Sequence, residues 1–416
     1  MPRFDLAYGR TAIPVDVPDR NLIGVLEPRS APKIDLCDAF DAAWRSPRGL
    51  SDPLTRLTPG ASIVLVVTDH TRPTPTKEIL PLLWERIRTR VSASNVTIVV
   101  ATGTHRAPTD AELERMFGEW RRTFRVRVHD CDAALVEVGR SSRGTPILIN
   151  QVVVEADAVV TIGHVGMHYY AGYTGGRKNI LPGVAGRATI EANHAQLLDP
   201  RSAACVYDGN PISEEMVEAA RRVNVAFIVD VVMDADRDVA KVVVGEPEEA
   251  HAEARAFWDC HFKIHLERPA DLVVASAGGH PKDTDLYQAY KAQYTAVRAL
   301  RDGGMLLLLA ACPDGVGSPV FEDWIKRSEK PSDVFEILRK EGFKLGGHKA
   351  VHLAADLTRI DVYLKSELDD DEARRFFLRP VRSPDEVFAE AERRFGDDFH
   401  VLVLPHAADT FPVLAP

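Results

Sequence analysis

The chain has 416 residues, 45% of them hydrophobic and 27% charged, enough for two domains that each bury a core. Its net charge of -10 weighs against nucleic acid as a partner, because binders of a phosphate backbone present basic stripes and none stands here. The opening residues MPRFDLAYGR lack an apolar leader core and the longest apolar run, Met305 to Cys312, is too short to span a bilayer, so the expectation is a cytoplasmic protein with no membrane partner.

Up to Pro59 the sequence mixes a strand-like piece (Asn21 to Leu26) with a helix-like one (Asp38 to Trp44). From Ala61 it becomes regular. ASIVLVVTD is a valine-rich run bounded by Pro59-Gly60 and Pro73, which reads as a buried parallel strand. A helix from Thr76 to Val91 and a strand from Val96 to Ala101 follow. Alternation then continues with a helix at Pro108 to Phe117, strands at Phe124 to Val128 and Ala158 to Ile162, and helices at Ala188 to Leu198 and Ile212 to Val223. Strands at Val225 to Val232 and Val239 to Val244 precede a helix at Pro247 to Phe262.

A second domain is expected from residue 269, after a first that runs from 1 to 268. Its elements are a strand at Asp271 to Ala275, a helix at Thr284 to Arg301, a strand at Met305 to Ala311, helices at Ser332 to Glu341 and Gly347 to Ala355, strands at Ile360 to Leu364 and His400 to Leu404, and a helix at Ser383 to Phe395. The fold class is therefore α/β, with two α/β domains, largely parallel or mixed sheets and an active site in the interdomain crevice. Five scattered cysteines with no CxxC pair argue against a disulfide framework, and most of them read as small buried hydrophobes.

Four polar clusters follow predicted strands: Asp69-His70-Thr71-Arg72, Gly103-Thr104-His105-Arg106, the stretch from Gly163 to His194, and Gly278 to Asp283. Ligands of open α/β sheets bind beyond the carboxyl ends of the strands, so all four are expected at one crevice. Each has a blander reading. Arg72 pairs with Asp69, His105 is a loop or cap residue, and His164 bonds only to backbone.

The turn GYTGGRKN, Gly172 to Asn179, is glycine-rich but fits neither the P-loop pattern nor the dinucleotide fingerprint. Backbone amides of Gly175 and Gly176 are positioned to approach an anion, with Arg177 adding charge. Lys178 sits in a constricted loop, where desolvation lowers an amine pKa and makes it nucleophilic. His105, His164, His168 and His194 also suggest zinc, although no His-Glu-x-x-His or Cys/His spacing is present. A single histidine on a transition metal whose other ligands come from a cofactor is equally open at this point.

DHTRPTP at Asp69 to Pro75, GTHR at Gly103 to Arg106, HYYAGYTGGRKNILPG at His168 to Gly183, His194, and PKDTDLYQAYK at Pro281 to Lys291 together resemble the lactate racemase family, which uses a nickel-pincer nucleotide. The resemblance spans nearly the whole chain. It implies that Lys178 tethers the nucleotide, a pyridinium mononucleotide bearing a thioamide and a thiocarboxylate, and that His194 completes the nickel coordination. It further implies that His105 and His168 are the acid/base pair, that Arg72, Gln288 and Lys291 hold the substrate carboxylate and hydroxyl, and that Tyr287 lines the pocket. Asp69, Gly175, Gly176 and Arg177 are placed with the cofactor.

The activity implied is inversion of C2 of a 2-hydroxy acid by reversible hydride transfer, with the cofactor supplied by separate synthesis proteins. One departure bears on the substrate: no tryptophan follows Trp324, where the lactate-specific pattern has one in the second domain. His348 in GGHKA is the candidate for that position and suggests a substrate more polar than lactate, malate-like or a sugar acid. Against this stand lactate itself, a surface position for His348, a non-catalytic nucleotide- or metal-binding protein, and a zinc hydrolase.

Overall fold

The computed structural model describes the whole chain apart from residues 30, 32, 235, 236, 415 and 416. It divides into two compact units, one made of Ser30–His261 and the other of Met1–Arg29 together with Phe262–Pro416.

In the 30–261 unit a sheet of six strands runs Val239–Gly245, Val225–Met233, Ala158–His164, Ile63–Thr68, Val96–Ala101, Arg125–Val128 from edge to edge. All neighbours are parallel except the first pair. The central strands are runs of valine and isoleucine buried on both faces, the pattern a parallel sheet covered by helices imposes. Ile79, Leu80, Leu83 and Ile87 of the helix Thr76–Ile87 pack on it with Leu65, Ile98 and Val160. Thr109 and Glu112 form a reciprocal cap that starts the helix Asp110–Phe117.

The second unit holds a six-stranded, all-parallel sheet in the order Arg379–Pro380, Asp361–Lys365, Leu300–Leu309, Ala270–Ser276, Val401–Leu404, Leu22–Val25. Its core joins Leu272, Val274, Leu307 and Val403 to Leu6 and Val15 of an N-terminal hairpin.

The expected division at residues 268 and 269 differs from this. The first 29 residues belong with the C-terminal part, because Leu22–Val25 completes its sheet edge beside Val401–Leu404. The helix expected from Thr284 to Arg301 is also shorter, Leu286–Ala296, and Leu300 already belongs to the next strand, paired with Ala270. Of the cysteines, Cys131 and Cys312 are buried while Cys37 and Cys260 are exposed, so burial of most of them does not hold. Among the described residues no helix is long and apolar enough to cross a membrane.

Candidate active site

In the 30–261 unit the chain runs from the central strand Ile63–Thr68 outward to Val96–Ala101 and Arg125–Val128. It then returns to lay Ala158–His164 and Val225–Met233 on the other side. Strand order reverses between Ile63–Thr68 and Ala158–His164, and the carboxyl ends at such a switch point are where open α/β sheets bind ligands. Asp69 to Arg72, Gly103 to Arg106 and the segment after His164 stand at that end. The fourth cluster, Gly278 to Asp283, follows Ala270–Ser276 in the other unit's sheet, so the clusters divide three and one between two sheets.

Asp69 is almost fully buried. It accepts hydrogen bonds from the Thr71 amide at 3.0 Å and the Thr71 hydroxyl at 2.6 Å, and its other oxygen meets His105 Nδ1 at 2.6 Å. Burial pushes its carboxyl up, but His105, Thr71 and Arg72 together outweigh this and hold it below the usual carboxylate value. A carboxylate there accepts a hydrogen bond from the Nδ1–H of His105 and leaves Nε2 as the acceptor, the state a general base requires. The contacts of Asp69 are thus those of a residue that orients His105 rather than one reserved for a cofactor. Arg72 meets Asp69 through its backbone N–H, at 3.1 Å from the Asp69 carbonyl, and not as a side-chain ion pair. Its charge acts on Asp69, His164 and Lys178 alike.

The glycine-rich turn is reached through a two-residue hairpin, Met167–His168 against Gly172–Tyr173. Gly175 and Gly176 have φ of +78° and +50°. A methyl group at Gly175 would stand 2.6 Å from the Val165 side chain and 2.7 Å from the Asp230 carboxyl, and one at Gly176 would stand 3.0 Å from the His251 ring. The Gly176 amide donates to Asp230 at 2.7 Å. The two glycines therefore let the turn close on its own scaffold, and the Gly176 amide is spent there rather than on an exogenous anion. Asp230 lies wholly buried in its strand; burial pushes its carboxyl up to about 7, against the pull of the Gly176 amide and Arg177.

Arg177 faces the same scaffold. Its guanidinium donates to the Ala171 carbonyl at 2.8 Å, lies 3.3 Å from His251 Nε2 and stacks 4.5 Å from the Tyr207 ring. Those contacts anchor the turn.

Lys178 is buried, and desolvation first, then Arg72 and Arg177, pushes its pKa well down and favours the uncharged amine. Its Nζ lies 3.3 Å from Nε2 of His168, whose Nδ1 accepts the Ala171 amide at 3.3 Å. That acceptor role puts the ring proton on Nε2, pointed at the lone pair of a neutral amine. The GTHR loop is tied to the same segment by the Gly103 amide, which donates to the Gly183 carbonyl at 3.0 Å.

His194 ends the helix Arg187–His194 and is likewise buried. Desolvation, with Lys178 contributing, pushes its pKa well below the ordinary histidine value. Its Nδ1 lies 3.1 Å from the side-chain oxygen of Asn193. The Asn193 amide nitrogen donates to Glu215 at 2.8 Å and to the Ile212 carbonyl at 3.1 Å, which fixes which way the amide points. His194 is thereby a neutral imidazole that donates its Nδ1–H, the tautomer of a histidine that ligates a metal through Nε2. Edge-on ring contacts at 4.6 Å and 5.0 Å place Tyr170 between His168 and His194. Burial and Arg72 bring the His164 pKa down to about 3, and Thr74 lies 3.5 Å away, contacts that fit a structural role.

Among the described residues the one group of three metal-ligating side chains within reach of each other is Asp130, Cys131 and Asp132, so the four histidines do not build a zinc site by themselves. A single prepared histidine beside a prepared amine suits a group that brings its own metal ligands and is held by Lys178.

In the other unit Asp285 caps the helix Leu286–Ala296 by accepting the Gln288 amide at 2.7 Å. Tyr287 and Lys291, one turn apart, share a face of that helix. Burial and Asp285 push the Tyr287 hydroxyl up to about 12. His348, on the helix Gly347–Leu357, is buried, with Phe343 stacked at 6.0 Å and Tyr287 edge-on at 6.4 Å, so it is not a surface residue. Sequence reasoning missed Asn193, Glu215 and Asp230.

Residues 8–205 match the family of lactate racemase N-terminal domains and residues 266–411 that of lactate racemase C-terminal domains. The chain is 32% identical to a lactate racemase of Thermoanaerobacterium thermosaccharolyticum and 31% identical to one of Lactiplantibacillus plantarum, each over 97% of this chain and 98% of the relative. The solved structure of the Thermoanaerobacterium apoprotein superposes with a TM-score of 0.91 at 31% identity, covering 99% of this chain and all (100%) of that one. A Thermotoga maritima protein of 18% identity, TM-score 0.66, covers 93% of this chain and shares the fold. The chain belongs to the lactate racemase family, and is an isomerase of the racemase type.

Proposed function

We propose that the protein inverts C2 of a 2-hydroxy acid with a nickel-pincer nucleotide carried on Lys178, made by other proteins, and with His194 as its nickel ligand. The observation that carries this reading is the pair of buried, uncharged groups, Lys178 and His194, prepared beside two further histidines of which one is oriented by a carboxylate. When bound, the nucleotide supplies a reversible acceptor for the hydride of C2. The other parts belong to the chain. His105, with Nδ1 held by Asp69, takes the proton of the 2-hydroxyl at Nε2. His168 is assigned the acid/base role for the opposite enantiomer, because a 2-keto acid rebuilt from either face needs a proton partner on that face, and it takes that role once the Lys178 amine beside its Nε2 is occupied by the nucleotide. Arg72, Gln288 and Lys291 are the residues we assign to the substrate carboxylate and hydroxyl, Arg72 as the cation for the carboxylate.

Asn193 governs the metal ligand in this account. Asn193→Ala is expected to weaken nickel retention about 10- to 100-fold while leaving the Lys178 adduct in place. Nickel content during dialysis against a chelator, with intact mass in parallel, reads both; undiminished retention would remove Asn193 from the account.

The substrate we infer is a 2-hydroxy acid more polar than lactate, since His348 rather than an indole stands on the helix that faces Tyr287. Lactate is the second reading, favoured by the two lactate racemases at 31% and 32% identity. Polarimetric assay of D-lactate, malate and gluconate side by side separates them. Faster turnover of a polar acid is expected, and fast lactate turnover with none on the others would overturn the choice.

A further inference from the structure

A cavity of about 200 Å³ lies within the 30–261 unit, and its lining includes Asn224 and Val225, at the amino end of the strand Val225–Met233. DHTR and GTHR stand at the opposite, carboxyl end of that sheet. The cavity is smaller than the sites of drug-sized ligands, about 300–1,000 Å³, and suits a small metabolite. Val217, Ala220 and Val223 give it an apolar wall, and Arg56, Arg177 and His251 a polar one. Lys178, the residue after Arg177, meets His168 instead, so the glycine-rich turn divides its two cations between two places.

Arg177 and His251 are 5% and 1% exposed, and each holds a buried polar atom with no hydrogen-bond partner among the described residues: Nε of Arg177, a donor, and Nδ1 of His251. His251 Nε2 lies 2.8 Å from the Thr174 carbonyl and therefore carries the ring proton. Nδ1 is then a bare acceptor. Burial first and Arg177 second push the pKa of that ring well down, which keeps it uncharged. The charges are unbalanced as well, since three arginines and two glutamates line the cavity and both glutamates are engaged. Glu248 accepts from Arg221 at 2.6 Å and 2.7 Å, and Glu246 accepts the Glu248 and Glu249 amides at 2.8 Å and 2.9 Å. Asp230 attracts Arg177, but burial pushes that carboxyl up to about 7, where about half its charge is gone at neutral pH. Water satisfies a donor and an acceptor but supplies no charge.

We propose that this cavity is a second, non-catalytic site for a small hydroxycarboxylate, with the carboxylate on Arg177 Nε–H and Arg56 and the hydroxyl donated to Nδ1 of His251. A carboxylate brings the acceptor and the charge that Arg177 lacks, and a hydroxyl brings the donor that His251 lacks. The short carbon body meets the valine and alanine wall. A 2-hydroxy acid has this pattern, so the class of molecule assigned to the active site also suits the cavity. The assignment follows from the unpaired donor and acceptor, needs no cofactor, and does not rest on the racemase reading.

The test is equilibrium dialysis of the full chain with labelled lactate, propionate and inorganic phosphate, comparing wild type with Ala220→Phe, whose ring fills the cavity and leaves the candidate active site untouched. Wild type is expected to bind one lactate more per chain than Ala220→Phe. Propionate, which lacks the hydroxyl, is expected to bind the cavity about 10-fold more weakly than lactate, and phosphate, which has no carbon body, weaker by a similar factor. Equal lactate binding in wild type and Ala220→Phe overturns the proposal, and so does propionate or phosphate held in the cavity as tightly as lactate. Each of those results leaves the racemase reading standing, because nickel content and the Lys178 adduct test that separately. If Ala220→Phe does not fold, Arg56→Gln decides: lactate at the additional site about 10-fold weaker is the result expected, and unchanged binding refutes the assignment.

Discussion

Alanine in place of His105 is expected to lower racemisation by about 10²- to 10⁴-fold, the usual worth of a positioned general acid or base, with nickel content and Lys178 adduct unchanged. The structure sets the expectation through its 2.6 Å contact with Asp69, which fixes the proton on Nδ1 and the lone pair on Nε2. His168→Ala should fall by a similar factor, because interconversion passes through both faces of the keto acid and each histidine serves one. His168 is held differently, by the Ala171 amide on Nδ1 and Lys178 beside Nε2. Racemase activity retained in both single variants would remove the two-histidine mechanism.

Lys178→Arg is expected to abolish activity, by more than about 10⁴-fold, and to leave the protein without any covalent adduct. Arginine separates charge from nucleophilicity. It occupies similar space but keeps its proton, whereas the site pushes a lysine amine toward its uncharged, reactive form. Lys178→Ala should match it. Full activity in Lys178→Arg would mean that the cofactor is held without the tether, and the assignment of Lys178 would fall.

The elements that carry the site were legible because their signals are local. The run from Val96 to Ala101 is a valine-rich strand between turn residues, and it forms with those bounds. DHTR and GTHR are legible because chemistry-bearing residues directly follow buried strands, and the parallel pairing of Ile63–Thr68 with Val96–Ala101 brings both to one end. Leu22–Val25 was not placed because its partner, Val401–Leu404, lies at the far end of the chain, and nothing within a short strand names a partner that distant.

The supporting residues were hidden for a related reason. Asn193 matters only through where Glu215 and the Ile212 carbonyl hold its amide, and Asp230 only through the Gly176 amide it accepts. Two signals were nevertheless in view. A lone aspartate inside VAFIVDVVM marks a buried carboxyl with a fixed partner, and Asn immediately before the candidate metal ligand offers that ligand a neighbour.

The central claim is that Lys178 and His194 hold a metal-bearing nucleotide between them. Its most direct test is the intact mass and metal content of the wild-type chain made together with the cofactor-synthesis proteins, with the modified peptide then mapped. A single adduct on the peptide containing Lys178, with nickel in equal amount, is the result expected; an active chain of unmodified mass, or one active without nickel, would contradict it.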